Sequence, residues 1–181
     1  RSIEMLRTGD LDGMLFGDAP PTNDNFVRED LLTEKFLCGM WSPTGEPYAN
    51  ISLSEYLERP HLSVAQGGRS YAVADYMLEK MGLKRKTVAT VPSYLVMPHI
   101  LAGTRMIATV GEAPLIGLAE KHGLTLAKPP MDMPEVEFSF IFEERSRSEP
   151  AMQWLGQQFR EIARDIEQQK QALYADNPHL F

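Results

Sequence analysis

An α/β fold with a mostly parallel sheet is what this sequence predicts, and three observations predict it. Strand, loop and helix signals alternate through the middle of the chain, a βαβ unit sits among them, and Pro-rich stretches near residues 43 to 50 and 129 to 134 bracket the block. In the βαβ unit, β-branched runs at Thr87 to Val91 and Met106 to Val110 flank an apolar segment that opens at Pro92-Ser93 and closes at Gly103. Parallel strands need such a crossover, and ligands of open α/β sheets collect beyond the strands' carboxyl ends. The loop from Val91 to Tyr94 is therefore the first place to look for function.

Taken in order, Ile3, Met5, Leu6 and Leu11 read as the end of an amphipathic helix stopped at Gly9, followed by an apolar run from Gly13 to Phe16. Residues 17 to 25 have loop composition around Pro20-Pro21. Phe26 to Trp41 is expected as one long strand ending near Ser42. Ser52 with Glu55 three residues on forms a capping box, with Leu53, Tyr56 and Leu57 on the buried face of a helix that Pro60 ends. His61 to Ala65 follows as a strand, and the turn Gln66-Gly67-Gly68-Arg69 leads into a helix with Val73, Ala74, Met77, Leu78 and Met81 at helical spacing and Gly82 as the stop. Ala113 to His122 is a helix ended by Gly123, and Leu124 to Lys128 a short strand. Val136 to Phe142 is a strand, apolar at alternate positions but also at Ile141. The last helix starts at Ser148 and buries Met152, Leu155, Phe159, Ile162 and Ile166, with a polar, frayed tail beyond Gln168. The chain leaves one domain, builds a second and returns: residues 1–41, 42–134 and 135–181.

Composition excludes several classes. Lys and Arg total 18 against 25 Asp and Glu, a net charge of -7 that offers a phosphate backbone no general attraction. Cys38 is alone, so no intrachain disulfide forms, and a reducing cytoplasm fits. No apolar run approaches the roughly 20 residues that span a bilayer, and no signal peptide opens the chain. The start at Arg1 without a Met points to a fragment. His61, His99, His122 and His179 stand at no spacing that pairs them with a nucleophile, a carboxylate or a shared metal, so no metal and no cofactor is expected. Neither a Gly-x-Ser-x-Gly motif nor a phosphate-loop or dinucleotide fingerprint occurs, and no catalytic residue is assigned.

Four stretches carry a resemblance. LRTGDLDGMLFG is similar to the helix-to-strand segment of the effector-binding domain of LysR-type transcriptional regulators, the Leu32, Glu34, Phe36, Leu37, Cys38 pattern to its first crossover strand, and SLSEYLERPHLSV to the start of its second subdomain. The longest, GLKRKTVATVPSYLVMPHILAGTRMIATV, resembles the branch that includes nodulation and naphthalene-salicylate regulators. The resemblance reaches to about Glu167, and it rests on the order and spacing of these stretches. It implies a type 2 periplasmic-binding-protein fold: two Rossmann-like subdomains with a ligand cleft between them, the first incomplete at its N-terminus. It also implies a small aromatic or carboxylate effector, a homodimer or homotetramer, no membrane contact, and DNA contact only through a winged helix-turn-helix that is not among these residues. A solute-binding protein for transport and a small α/β enzyme acting at the same cleft are the alternatives.

The candidate effector contacts are Ser93 and Tyr94, which the resemblance places at the cleft; unaided, they read as an N-cap and a core ring. Gln66, Gly67 and Gly68 end the preceding strand and are either contacts or a turn needing positive φ. Thr109 and Val110 end the next strand, and Thr109 is either a hydroxyl donor or sheet filler. Phe16, Gly17 and Asp18 end a strand of the other subdomain, with Phe16 able to stack on an aromatic ring or to fill core. Met97, with Ile100, supplies apolar wall or packs on the sheet. Cys38 reads as a buried inert thiol, and Lys84-Arg85-Lys86 as a solvated turn.

Overall fold

The computed structural model describes residues 2–18, 25–46, 49–65, 73–177 and 180. Its contacts divide the chain into two compact units, Arg1–Glu34 with Glu135–Ala172, and Lys35–Pro134 with Leu173–Phe181. The sequence placed the first crossing at 41/42; the contacts place it at 34/35, because Phe36–Trp41 pairs inside the second unit.

In the first unit, helix α1 (Ser2–Thr8) ends where Gly9 takes φ +79°, a conformation open to a residue without Cβ. Strands β1 (Gly13–Gly17) and β2 (Phe26–Glu34) each pair antiparallel with the strand that returns to the unit, Val136–Glu143, which lies between them. This small sheet is antiparallel about its centre, unlike the parallel sheet expected for the chain as a whole. Ile141 packs with Leu6 and Phe26 on one face, and Phe140 and Phe142 pack with Val27 and Met152 on the other. Both faces of the returning strand are therefore covered, which explains why its apolar alternation is broken by Ile141.

Phe26 to Trp41 is two strands rather than one. After β2, strand β3 (Phe36–Trp41) joins a different sheet, and the break falls at Lys35. Local periodicity reads an extended backbone correctly but has no access to which partner each half hydrogen-bonds.

The second unit continues with α2 (Leu53–Glu58), β4 (Pro60–Val64), α3 (Val73–Lys80), β5 (Lys86–Val91), α4 (Met97–Leu101), β6 (Ile107–Gly111), α5 (Glu112–His122) and β7 (Leu124–Ala127). The strand order is β5-β4-β6-β3-β7, with β4 parallel to both neighbours and β3 antiparallel to both of its own. Four strands therefore point one way, as expected of successive crossovers. The capping box is present: Ser52 Oγ accepts from the Glu55 N–H at 3.2 Å. Leu37, Leu62, Val110, Met97, Leu101 and Leu115 form the core on one face, while Cys38, Met40, Tyr56, Leu78 and Ile107 form it on the other.

Helix α4 is shorter than the expected span from Pro92 to Gly103. Its N-terminal turn contains Pro98, which lacks an N–H, and residues 94–96 form turns instead. The returning strand of the first unit, β8 (Val136–Glu143), leads through a 3-10 turn to the last helix, α6 (Pro150–Asp176). That helix does not fray beyond Gln168. Lys170 is buried, its Nζ donating to the Thr33 carbonyl and to Glu167, and Leu173 and Leu180 pack within the second unit. A tail that is polar along the chain is anchored by partners far from it in sequence.

Candidate functional site

Strands β5, β4 and β6 end at one edge of the second unit's sheet, as their parallel pairing requires. This carboxyl edge is where an open α/β sheet gathers ligands. The Ala65 N–H donates to the Val91 carbonyl at 2.9 Å, holding the exits of β4 and β5 together. Gln66, Gly67 and Gly68 follow Ala65 and lie outside the described residues.

The β5–α4 loop is built by its own hydrogen bonds. Ser93 Oγ accepts from the Leu95 N–H at 3.2 Å, and the carbonyls of Ser93 and Tyr94 accept from Val96 and Met97. The hydroxyl oxygen is thus occupied as an acceptor while its proton remains able to donate to a carboxylate or phenol oxygen. Tyr94 is half-buried against the core. Leu95 and Val96 stand beside them with 71% and 41% of their surface exposed.

The remaining candidates of this unit face inward. Met97 and Val110 are buried in the core beside Leu101 and Leu115. Thr109 is on the opposite face, buried, with its Oγ1 2.7 Å from the Tyr56 hydroxyl and 3.5 Å from Cys38 Sγ. In the first unit, Phe16 is 37% exposed and Gly17 lies opposite Phe138. Asp18 takes φ +51°, its N–H donating to the Glu137 carbonyl at 2.8 Å and its Oδ1 accepting from the Glu137 N–H at 3.3 Å.

Two features escaped the sequence. Glu112, the first residue of α5, is fully buried: Oε1 accepts from the Lys35 N–H at 3.1 Å, Oε2 accepts from the Tyr174 hydroxyl, and its own N–H donates to the Lys35 carbonyl at 3.0 Å. Lys35 Nζ lies 5.4 Å from the centre of the Tyr174 ring. One carboxylate therefore ties the start of β3 and the end of α6 to the start of α5. The strand-to-helix junction Gly111-Glu112 was the available signal, since an acidic first turn suits the helix dipole, but its burial was not legible.

The second feature is a buried polar layer under α2. His61 Nε2 lies 2.7 Å from the Tyr56 carbonyl, which only accepts, so Nε2 carries a proton and donates it. Burial pushes the His61 imidazole down to about 4, the Cys38 thiol up to about 12 and the Tyr56 phenol up to about 12. Cys38 partners a threonine hydroxyl rather than an imidazole, so this layer has the composition of a nucleophile site without its chemistry. Among the described residues, no group of three or more His, Cys, Asp or Glu side chains is placed to hold a metal ion, and no helix is long and apolar enough to cross a membrane.

Two compact units of helices and sheet, one with a largely parallel sheet whose carboxyl edge bears the β5–α4 loop, have the architecture of the periplasmic-binding-protein type. The chain belongs to the LysR substrate binding domain family, which it matches over residues 1–164. It is 24% identical over 159 residues to the HTH-type transcriptional activator NagR of a Ralstonia species, covering 88% of this chain and 52% of that protein. It is 25% identical over 170 residues to nodulation protein D 1 of Sinorhizobium fredii, covering 93% and 52%. The chain thus spans about half the length of these curated relatives. Among solved structures, the regulatory domain of MexT, a transcriptional activator in Pseudomonas aeruginosa, is similar with a TM-score of 0.70 and 27% identity, covering 85% of this chain and 74% of that one. A putative transcriptional regulator from Vibrio parahaemolyticus, at a TM-score of 0.74 and 21% identity over 93% of this chain and 77% of its own, shares the fold. The family is one of transcriptional regulators rather than enzymes.

Proposed function

We propose that this domain senses a small aromatic or carboxylate effector through the β5–α4 loop and that the whole protein converts binding into a change in transcription. The observation that carries the reading is the loop itself: Ser93 keeps a hydroxyl proton to donate, and exposed Leu95 and Val96 offer apolar surface next to it, at the ligand-gathering edge of the sheet. Tyr94 supplies a ring at the same place, and Gln66, Gly67 and Gly68 are proposed as further contacts because they follow β4 in the chain. In the first unit, Phe16, beside Gly17 and Asp18, combines an aromatic ring with exposure and is the candidate contact there. Val110 and Met97 act behind the loop, in the packed layer that also takes the Tyr94 ring, while Thr109 is engaged on the sheet's other face with Tyr56. In the whole protein, the response passes to a winged helix-turn-helix within a homo-oligomer, a reading supported by the relatives' description as HTH-type activators.

A thermal-shift screen of aromatic acids, phenols and flavonoids tests this. A compound that binds the folded state raises the melting temperature, by about 2.7 kcal/mol of added stability at a hundred times its Kd. Ser93→Ala should shrink that shift while leaving the unliganded melting temperature nearly unchanged, and Tyr94→Ala should shrink it from a lower unliganded melting temperature because its ring packs on the core; wild-type shifts in both variants would remove the loop from the site.

A further inference from the structure

His99 and His122 are distant in sequence but adjacent in the second unit. Their ring centroids are 5.1 Å apart with an interplanar angle of 78°. His99 is exposed on α4 and His122 half-exposed at the end of α5, and among the described residues neither ring nitrogen pair is engaged in a hydrogen bond. Both residues lie in the last turn of their helices, where unpaired carbonyls favour positive charge. Two imidazoles at this distance are suited to one ion, each offering a ring nitrogen as ligand. With metal–nitrogen bonds of about 2.0–2.1 Å, two rings on a single ion have centroids roughly 4.5 to 5.2 Å apart as their angle at the metal opens from square to tetrahedral. The observed separation falls in that span, and the His99 ring, being exposed, is free to change rotamer.

We propose that His99 and His122 bind one divalent transition-metal ion of the Zn2+ or Cu2+ class, with water completing the coordination, so that the ion links α4 to α5. Imidazole nitrogen selects these ions over Mg2+ and Ca2+, which take oxygen ligands. Helix α4 directly follows the Ser93–Tyr94 loop in the chain, so the ion restrains the far end of that loop. The site is independent of the effector reading and stands or falls separately.

The test uses the protein stripped with EDTA and titrated calorimetrically with zinc chloride and, separately, copper sulfate, alongside His99→Gln and His122→Gln with their folding checked by circular dichroism. One equivalent should bind, and each variant should lose at least the roughly tenfold in affinity that even an outer-shell partner is worth. The copper electron paramagnetic resonance spectrum should show two nitrogen donors in the wild type and one in each variant. Less than one equivalent bound, an unchanged affinity in either variant, or a wild-type spectrum with a single nitrogen would overturn the proposal.

Discussion

Met97 and Leu95 are two positions apart and have opposite surroundings: Met97 is fully buried against Leu101 and Leu115, while Leu95 is largely exposed. Replacing Met97 by Ala should cost about 2–5 kcal/mol through the cavity it leaves. Leu95→Ser should stay within about 0.5 kcal/mol. Urea denaturation distinguishes them, and a silent Met97→Ala would show that this side chain does not pack in the core. His61 makes a prediction in pH. Its imidazole titrates near 6.5 in the unfolded chain and near 4 in the folded one, so between those values the unfolded state holds the extra proton. The stability His61 contributes is complete above about pH 6.5, declines as the pH falls toward 4, and amounts to at most about 3 kcal/mol. His61→Gln keeps a donor for the Tyr56 carbonyl and does not titrate, so its unfolding free energy should lose most of this dependence between pH 7 and 4.5.

At the scale of elements, helix and strand identities were largely legible because each rests on local chemistry. The Ser52 cap, the Gly82 and Gly123 stops and the β-branched runs of β5 and β6 all act within a few residues of themselves. The division at Lys35 was not legible, because it depends on the Glu112 carboxylate, far along the chain, taking the hydrogen bond that a sheet partner would otherwise provide. Glu112→Ala leaves the Lys35 N–H and the Tyr174 hydroxyl without this acceptor, and should destabilise by about 2–4 kcal/mol. Glu112→Gln, which retains one acceptor oxygen, should lose less. Limited proteolysis should also cut the end of α6 faster in the alanine variant; equal rates would show that Tyr174 is held by something else.

At the scale of the whole molecule, the net charge of -7 argues for a separation between this chain and the phosphate backbone of DNA. Assayed by itself, this chain should not retard duplex DNA at concentrations up to about 10 µM in moderate salt, since nonspecific binding is supplied by basic residues that release counterions. A salt-sensitive band shift would contradict that separation. The sequence by itself determined the α/β class, the order of most elements and the family, because periodicity, capping and turn chemistry are written in neighbouring residues. Only the tertiary structure decided which candidates reach solvent. Thr109 and Val110 are consecutive in a strand, so they point to opposite faces, and both faces are covered by packed elements. It also decided that two histidines without a suggestive spacing share one surface, because the contact between α4 and α5 is made by folding and not by the chain.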